Sequence, residues 1–373
     1  MASAGPADGR LPAQRTPLRH RACGRRHRPR GPARPAQVRG HARPRRFRGD
    51  QQMTAITAAP ALPDRLVRAL RDVHVTDDAA TVRLGSRTVT SDNPREMRRL
   101  LAEALYDVLH AGQDVDKGDL PLNLRDESFE KQLAAVVPHR GTTTRVRALD
   151  AGDHTVAGDG PLLVERDGVR VWVPRDHVVD GDPAVPGGIL TLRVAALRPA
   201  LSPGFFMVDG SRPRPRGERT LRVYVHVTDA RHAAPVWGRV LARLESDGVS
   251  YRSKALSARA LYPRRDALVV YLTGEAADAA GAVAEAVRGA EGVGRETSVF
   301  TSELAPGVSV AEEPDDPRPA MSGLSFGQHR ATATAHALLD AARGVGPLEE
   351  LLAEALREAG ADPAAPYRNL PRR

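Results

Sequence analysis

Three stretches of this 373-residue chain gather side chains that could move protons around an anion. Residues 219–228 alternate strictly, with Leu221, Val223, Val225 and Val227 on one face and Arg222, Tyr224 and His226 on the other. Residues 250–257 read as a second strand, with Arg252 and Lys254 on one face. Arg264 and Arg265 enter just before the apolar run 267–272, which has the makings of a central strand. Cations, an imidazole and a phenol on one sheet surface suit general acid–base work at an anionic group. A solvated polar face with scattered cations is the plainer alternative, common on half-buried sheets.

A fourth stretch adds an anion-binding motif. Ser325 and Gln328 have capping-box spacing, which places His329 and Arg330 in the opening turns of a helix. The free N–H groups of a helix start and the fork of Arg330 would together suit a phosphate. A well-capped surface helix would carry the same residues.

Lys254 stands out for another reason. The chain has 52 Arg and three Lys, and Lys, unlike Arg, can lose its proton and act as a base. Lys117 and Lys131 sit among acids and read as surface charges, whereas Lys254 does not.

These residues need a scaffold, and the spacing predicts one. Residues 64–137 are mainly helical in pattern, including a helix from Asn93 with Pro94 at its first position. Strand signals follow over 141–210, and 211–218 is a polar, Pro-rich connection. Beyond it the predicted order is strand 219–228, helix 231–247, strand 250–257, strand 267–272, helix 275–288 and strand 297–301. That is a split β-α-β-β-α-β unit, with both helices on one side of an antiparallel sheet. Two helices, 325–343 and 347–359, close the chain. The fold class is α+β, divided into an extension (1–52), a helical and strand region (53–210) and an α+β domain with the chemistry (211–373). Peptide recognition is expected in 53–210, by β-augmentation of an exposed strand, because the acid–base residues gather after 218.

Composition narrows the classes. Residues 1–50 hold 14 Arg and seven Pro with only Asp8 and Asp50 as acids, so they cannot form a core and are expected to be disordered. They could contact nucleic acid phosphates non-specifically, or be an extension upstream of Met53 as the true start. They hold an excess of twelve positive charges, so the formal +9 leaves the remainder near −3, unlike a nucleic-acid binder. The lone Cys23 excludes a disulfide framework, and no apolar stretch or signal-peptide core appears. A cytoplasmic protein without metal or cofactor is expected, with no membrane partner and no specific nucleic acid.

Several segments in order resemble the HopA-type effector family. They are Arg222-Val-Tyr-Val-His226, Ser253-Lys-Ala-Leu256, Tyr262-Pro-Arg-Arg-Asp-Ala-Leu-Val-Val-Tyr271, Ala305-Pro-Gly-Val-Ser-Val-Ala-Glu-Glu-Pro314 and Ser325-Phe-Gly-Gln-His-Arg330. The resemblance is clearest over 200–345 and absent from 1–52. Actinobacterial members of that family accompany class V lanthipeptides and thioamide-containing peptides, where they are taken to eliminate phosphate from phosphoserine or phosphothreonine. The resemblance therefore implies a lyase in ribosomal peptide biosynthesis. Its partners would be a precursor peptide and a separate kinase-like phosphotransferase. Through a distant similarity to phosphothreonine lyases it implies that His226 is the acid for the leaving phosphate. Tyr224 stands where those enzymes have their base lysine. Lys254 could be the base or could polarise the carbonyl, and Tyr224 is the other base candidate. Arg222, Arg252, Arg264, Arg265 and Arg330 are the implied phosphate contacts, with His329 beside them. A non-catalytic module holding a phosphorylated peptide or partner on the same face is the competing reading. RNA binding is a weaker one, since the aromatic pattern of RNA-binding sheets is missing.

Overall fold

The computed structural model describes residues 62–114, 124–149, 160–215 and 217–371. The expectations for residues 1–52 and for Lys117 lie outside the described residues. Residues Thr57–Arg373 form one compact unit. Helix α1 (Asp64–Arg71) leads into a three-stranded antiparallel sheet of β1 (Val73–Val75), β2 (Thr81–Leu84) and β3 (Arg87–Thr90). These short strands interrupt a region that is otherwise mainly helical, as its pattern predicts. Each is too short for its alternation to register in the sequence. Helix α2 (Pro94–Leu105) starts as its spacing requires, the Asn93 side chain accepting the N–H groups of Arg95 and Glu96. It runs into a π-helical turn, Tyr106–Ala111, that stops at Gly112 with φ 75°. Helix α3 (Glu127–Ala135) follows.

A five-stranded antiparallel sheet then forms from β4 (Gly141–Ala148), β5 (Leu162–Arg166), β6 (Val169–Val173), β7 (Val178–Asp180) and β8 (Ile189–Ala195), in the order β6-β5-β4-β8-β7. Its small core is Val146, Ala148, Leu162, Val164, Leu190 and Leu192.

The main sheet has seven strands. β9 (Leu197–Ser202) and β10 (Phe205–Asp209) precede β11 (Thr220–Val227), helix α4 (Ala230–Ser246), β12 (Tyr251–Leu256) and β13 (Arg264–Thr273). Helix α5 (Ala280–Val287), β14 (Ser302–Ala305) and β15 (Val308–Glu312) complete it, in the order β14-β15-β11-β13-β12-β10-β9. The split unit is present as β11-α4-β12-β13-α5-β15. Its last strand is β15, not 297–301. There Ser298 accepts the Phe300 N–H on its hydroxyl and the Thr301 N–H on its carbonyl, which closes a turn. Segment 211–218 connects two strands of this one sheet, since β9 and β10 extend it beyond β12. Helices α6 (Phe326–Ala342) and α7 (Leu348–Glu358) and a terminal hairpin, β16 (Ala361–Asp362) and β17 (Ala365–Asn369), end the chain.

The valine face of β11 packs under α4 and α5 as its alternation demands. Trp237 of α4 is fully buried there, and its indole N–H donates to Ser253 Oγ at 2.8 Å. Each large apolar side chain so buried contributes roughly 1.5–3 kcal/mol. The opposite face, expected to lie open, is largely roofed by α2, the π-helical turn and α6. The reason lies in α6, whose buried alanines 331, 333, 335 and 337 lie on several sides of the helix. Small residues let it approach closely: a Cβ on Gly327 would stand 2.2 Å from His110 Cδ2. No helix among the described residues is long and apolar enough to cross a membrane.

Candidate functional site

The register of the main sheet brings Arg222, Tyr271, Arg252 and Asp209 into one row across β11, β13, β12 and β10. The next row holds Tyr224, Val269, Lys254 and Met207. Four of the residues expected on one face therefore share it. Tyr271 is the centre of the outer group. The Arg222 guanidinium lies 5.2 Å from its ring centroid and forms a bidentate pair with Glu313. Lys254 Nζ stands 3.8 Å from the Phe205 centroid and 5.9 Å from that of Tyr271. Its ammonium donates to Ser202 Oγ at 3.4 Å and, among the described residues, pairs with no carboxylate.

Asp209 sits between two arginines, accepting from Arg252 Nε at 2.5 Å and from Arg198 Nε at 3.2 Å. Burial pushes its carboxyl up, but these bonds and charges outweigh burial and hold it below the usual range. Half-buried Arg214 donates to Thr273 Oγ1 at 3.4 Å; burial, then the charge of Arg252, lowers its pKa. Arg214, Arg222, Arg252 and Lys254 thus gather near Tyr271, and among the described residues Asp209 and Glu313 are the carboxylates bonded to the arginines of this group. Such a gathering of cations suits a multiply charged anion.

Tyr224 shares the face but not the opening. Its ring is buried, 5.2 Å from that of His110 in an edge-on contact, and among the described residues its hydroxyl makes no hydrogen bond of good geometry, although the Arg222 guanidinium reaches towards it. Burial pushes the phenol far above its ordinary range, although Arg222 pulls the other way. A phenolate base is therefore not supported here. An orphaned buried hydroxyl costs about 1–3 kcal/mol. Tyr224→Phe is thus expected to raise stability by roughly 1 kcal/mol. A denaturation midpoint that falls would mean that the hydroxyl is bonded in the folded protein.

His226 lies in a bulge of β11, between Val225 and Val227, apart from the Tyr271 group. Its Nδ1 donates to the Glu296 carbonyl at 3.2 Å, which leaves Nε2 as the unprotonated nitrogen. Burial, only partly offset by that bond, lowers its pKa. Arg265, expected to grip phosphate, pairs with Glu296 at 2.6 Å. Arg264 pairs with buried Asp266 at 2.7 Å and also donates to the Tyr106 hydroxyl. Tyr106 in turn donates to Asp266 Oδ2 at 3.1 Å. The charge and hydrogen bonds of Arg264 outweigh burial and hold the Asp266 carboxyl well below its usual range.

The π-helical turn sets His110 against this network, 2.9 Å from Ser298 Oγ through Nδ1 and 3.8 Å from Asp266 through Nε2. Such turns recur at functional sites. Burial takes His110 down to about 4 from an ordinary 6.5, despite Asp266. His329 falls to about 4 as well, through burial and then the neighbouring Arg330 charge. Between these values the unfolded chain binds more protons, so stability is expected to fall as pH drops from about 6.5 towards about 4. At about 1.4 kcal/mol per pKa unit, His110 alone accounts for about 3 kcal/mol. Urea denaturation across that window tests it; a flat profile, or one rising towards acid, would contradict the burial of both imidazoles in neutral form.

Arg330 and His329 are both buried and bonded within the fold. Arg330 is completely buried and donates to the carbonyls of Pro366 and Arg368 and to Asn369 Oδ1. Burial lowers its guanidinium to about 10. His329 contacts Asp316 at 3.1 Å through Nε2. The capping box exists, with Gln328 Oε1 accepting from the Ser325 N–H at 3.0 Å, but its helix start serves the fold. The phosphate role expected for Arg330 is corrected accordingly. Sequence reasoning missed Tyr271, Arg214 and Arg198. Tyr271 had a signal, since it closes the central strand, but its alignment with Arg222 and Arg252 required the register. Among the described residues, no group of three or more His, Cys, Asp or Glu side chains could hold a metal ion.

Comparison with known proteins adds a family. Residues 196–368 match the HopA1 effector protein family. That segment contains β9 to β15, both later helices and all residues of the Tyr271 group. The chain is also similar to two solved effector proteins of Pseudomonas syringae. The one from pv. tomato strain DC3000 is 16% identical with a TM-score of 0.40. The one from pv. syringae strain 61 is 18% identical with a TM-score of 0.39. Each likeness covers 74% of this chain and 96% of the other. No curated protein matches the chain.

Proposed function

We propose, with the match to the HopA1 effector protein family as the premise, that the Tyr271 group binds a phosphorylated serine or threonine and that Lys254 drives its β-elimination. The observation that carries this reading is the gathering of Arg214, Arg222 and Arg252 near Tyr271, with Lys254 beside them, its ammonium bonded, among the described residues, to a hydroxyl and set against aromatic rings. A phosphate dianion would meet Arg222, Arg252 and Arg214, each already fixed by a partner and so pre-organised. Lys254, as the neutral amine, would take the α-proton, or as the ammonium would neutralise the carbonyl oxygen while water takes that proton. The Cα–H electron pair then becomes the Cα–Cβ double bond, the Cβ–O bond breaks, and hydrogen phosphate leaves, its bridging oxygen gaining a proton from solvent. The product is a dehydroamino acid, as in lanthipeptide-type biosynthesis. The phosphate would come from a separate kinase-like phosphotransferase acting on a precursor peptide in the cytoplasm.

One observation favours a second reading, a module that binds phosphopeptide without turning it over. His226, the implied acid, stands outside the Tyr271 group and is tied to a backbone carbonyl. Incubation with a phosphothreonine peptide separates the two. Loss of phosphoric acid by mass spectrometry supports elimination, whereas saturable binding with no mass change supports the module. Neither outcome would remove both readings.

A further inference from the structure

The five-stranded sheet ends in an edge of an unusual kind. In β6, Val169, Val171 and Trp172 are 61%, 43% and 48% exposed. Exposed apolar edge strands are rare because they invite another strand, and proteins blunt them with Pro, bulges or brevity. The other long edge, β9, is blunted: it contains Pro199, and Ala200 has φ 60°. Edges β7 and β14 have three and four residues. β6 has five residues, no Pro, and unbroken register with β5 from Leu162↔Val173 to Arg166↔Val169.

Hairpin geometry says which backbone groups are free. The two-residue turn Asp167-Gly168, both at positive φ, makes Arg166 and Val169 the hydrogen-bonded pair nearest the turn. Val171 and Val173 then also face β5, and the N–H and C=O groups of Arg170 and Trp172 point outward. The Leu163 carbonyl, opposite Trp172, agrees with this alternation, since it accepts from the Leu149 N–H on the other side of β5.

The sheet also states what charge an added strand should carry. The row Arg170, Glu165, Arg147, Ile189 crosses the outer face, followed by Arg145 with Thr191 and by Arg193 with Thr143. Four exposed arginines share that face with Glu165 and, at the far edge, Asp180. Arg145, Arg147 and Arg193 pair with no carboxylate among the described residues. On the other face, Val171 lies beside buried Val164, and among the described residues no strand pairs on its far side.

We propose that β6 is the docking edge for an extended acidic peptide, which adds as a sixth strand with apolar residues beside Val169 and Val171 and acidic residues alternating beside Arg170. Main-chain hydrogen bonds would supply affinity, and the two faces would set the alternation. The free backbone edge favours a peptide over a nucleic acid, and the single aromatic on this face offers no stacking platform. The proposal specifies how a peptide substrate would be recruited, but docking on β6 does not depend on Lys254.

The test is fluorescence polarisation of the full chain with a labelled synthetic peptide alternating Val and Glu. Peptides alternating Val and Lys, and a labelled single-stranded oligonucleotide, are the comparisons. The Val-Glu peptide is expected to bind, and the Val-Lys peptide is not. Trp172→Pro removes one outward N–H without touching the β5 ladder and is expected to weaken binding about tenfold or more, as a main-chain bond and its geometry are lost. Trp172→Val keeps the N–H and separates this effect from loss of the indole; it is expected to retain most of the affinity. Arg145→Gln with Arg147→Gln is expected to weaken binding and flatten its salt dependence. Circular dichroism melting of each variant controls for folding. Equal binding by Trp172→Pro, or no Val-Glu binding at all, would overturn the proposal. So would tighter binding of the oligonucleotide, or dimerisation of the free chain that Trp172→Pro abolishes. Because the readout is binding, it stands apart from any failure of elimination.

Discussion

Lys254→Ala is expected to lower elimination from a phosphothreonine peptide by on the order of 10²–10⁴-fold, the usual weight of one acid–base group. Affinity for the same peptide is expected to change far less. Arg214, Arg222 and Arg252 remain near Tyr271 to hold the phosphate of the proposed substrate. A group needed only as the carbanion forms is read in kcat rather than in binding. Lys254→Arg divides the two roles left open for this residue. It keeps the cation beside Phe205 and Tyr271 but cannot deprotonate at neutral pH. Continued inactivity would identify Lys254 as the base, whereas substantial recovery would leave it polarising the carbonyl. Wild-type turnover by Lys254→Ala would remove the residue from the mechanism, and with Tyr224 buried and unionised the elimination reading would lose its best base.

Asp266→Ala is expected to cost about 3–5 kcal/mol of stability, because it leaves the Arg264 guanidinium buried without its counter-charge. Arg264, Asp266 and Tyr106 are mutually bonded beneath the π-helical turn, so the loss would also release His110. Exchanging both partners, Arg264→Met with Asp266→Leu, is expected to recover most of that loss, since apolar pairs of similar volume often replace buried ion pairs at little cost. Urea midpoints of the three proteins are the measurement. An Asp266→Ala variant as stable as the parent would mean that Arg264 is not spent on this pair and could turn towards a phosphate after all.

Much of this arrangement was legible because alternation is a local property. Leu221 to Val227 specified which side chains of β11 meet α4 and α5, and Arg222, Tyr224, Arg252 and Lys254 duly share the other face. What the alternation could not say is what lies on top of that face. Helix α6 has too little amphipathic contrast to announce burial, yet its alanines and Gly327 are what let it settle over Tyr224. The same limit explains Arg330. A capped helix start next to an arginine reads as an anion site, and nothing local signals that the last hairpin will supply carbonyls to it. Partners hid the arginines in a similar way: Glu296, Glu313 and Asp209 are far in sequence from the arginines they hold. The helical reading of 64–137 gave way at β1 to β3 because three- and four-residue strands leave almost no periodic trace.

The clasp of Arg330 on the terminal hairpin has a consequence for synthesis. The guanidinium leaves the ribosome before Pro366, Arg368 and Asn369, the residues that satisfy it. Until they arrive, α6 carries an uncompensated charge that its place in the core cannot tolerate cheaply. A nascent chain therefore has reason to delay seating α6 over the sheet until β17 is made. A chain halted before β17 would keep that charge without acceptors and present itself to quality control as unfinished.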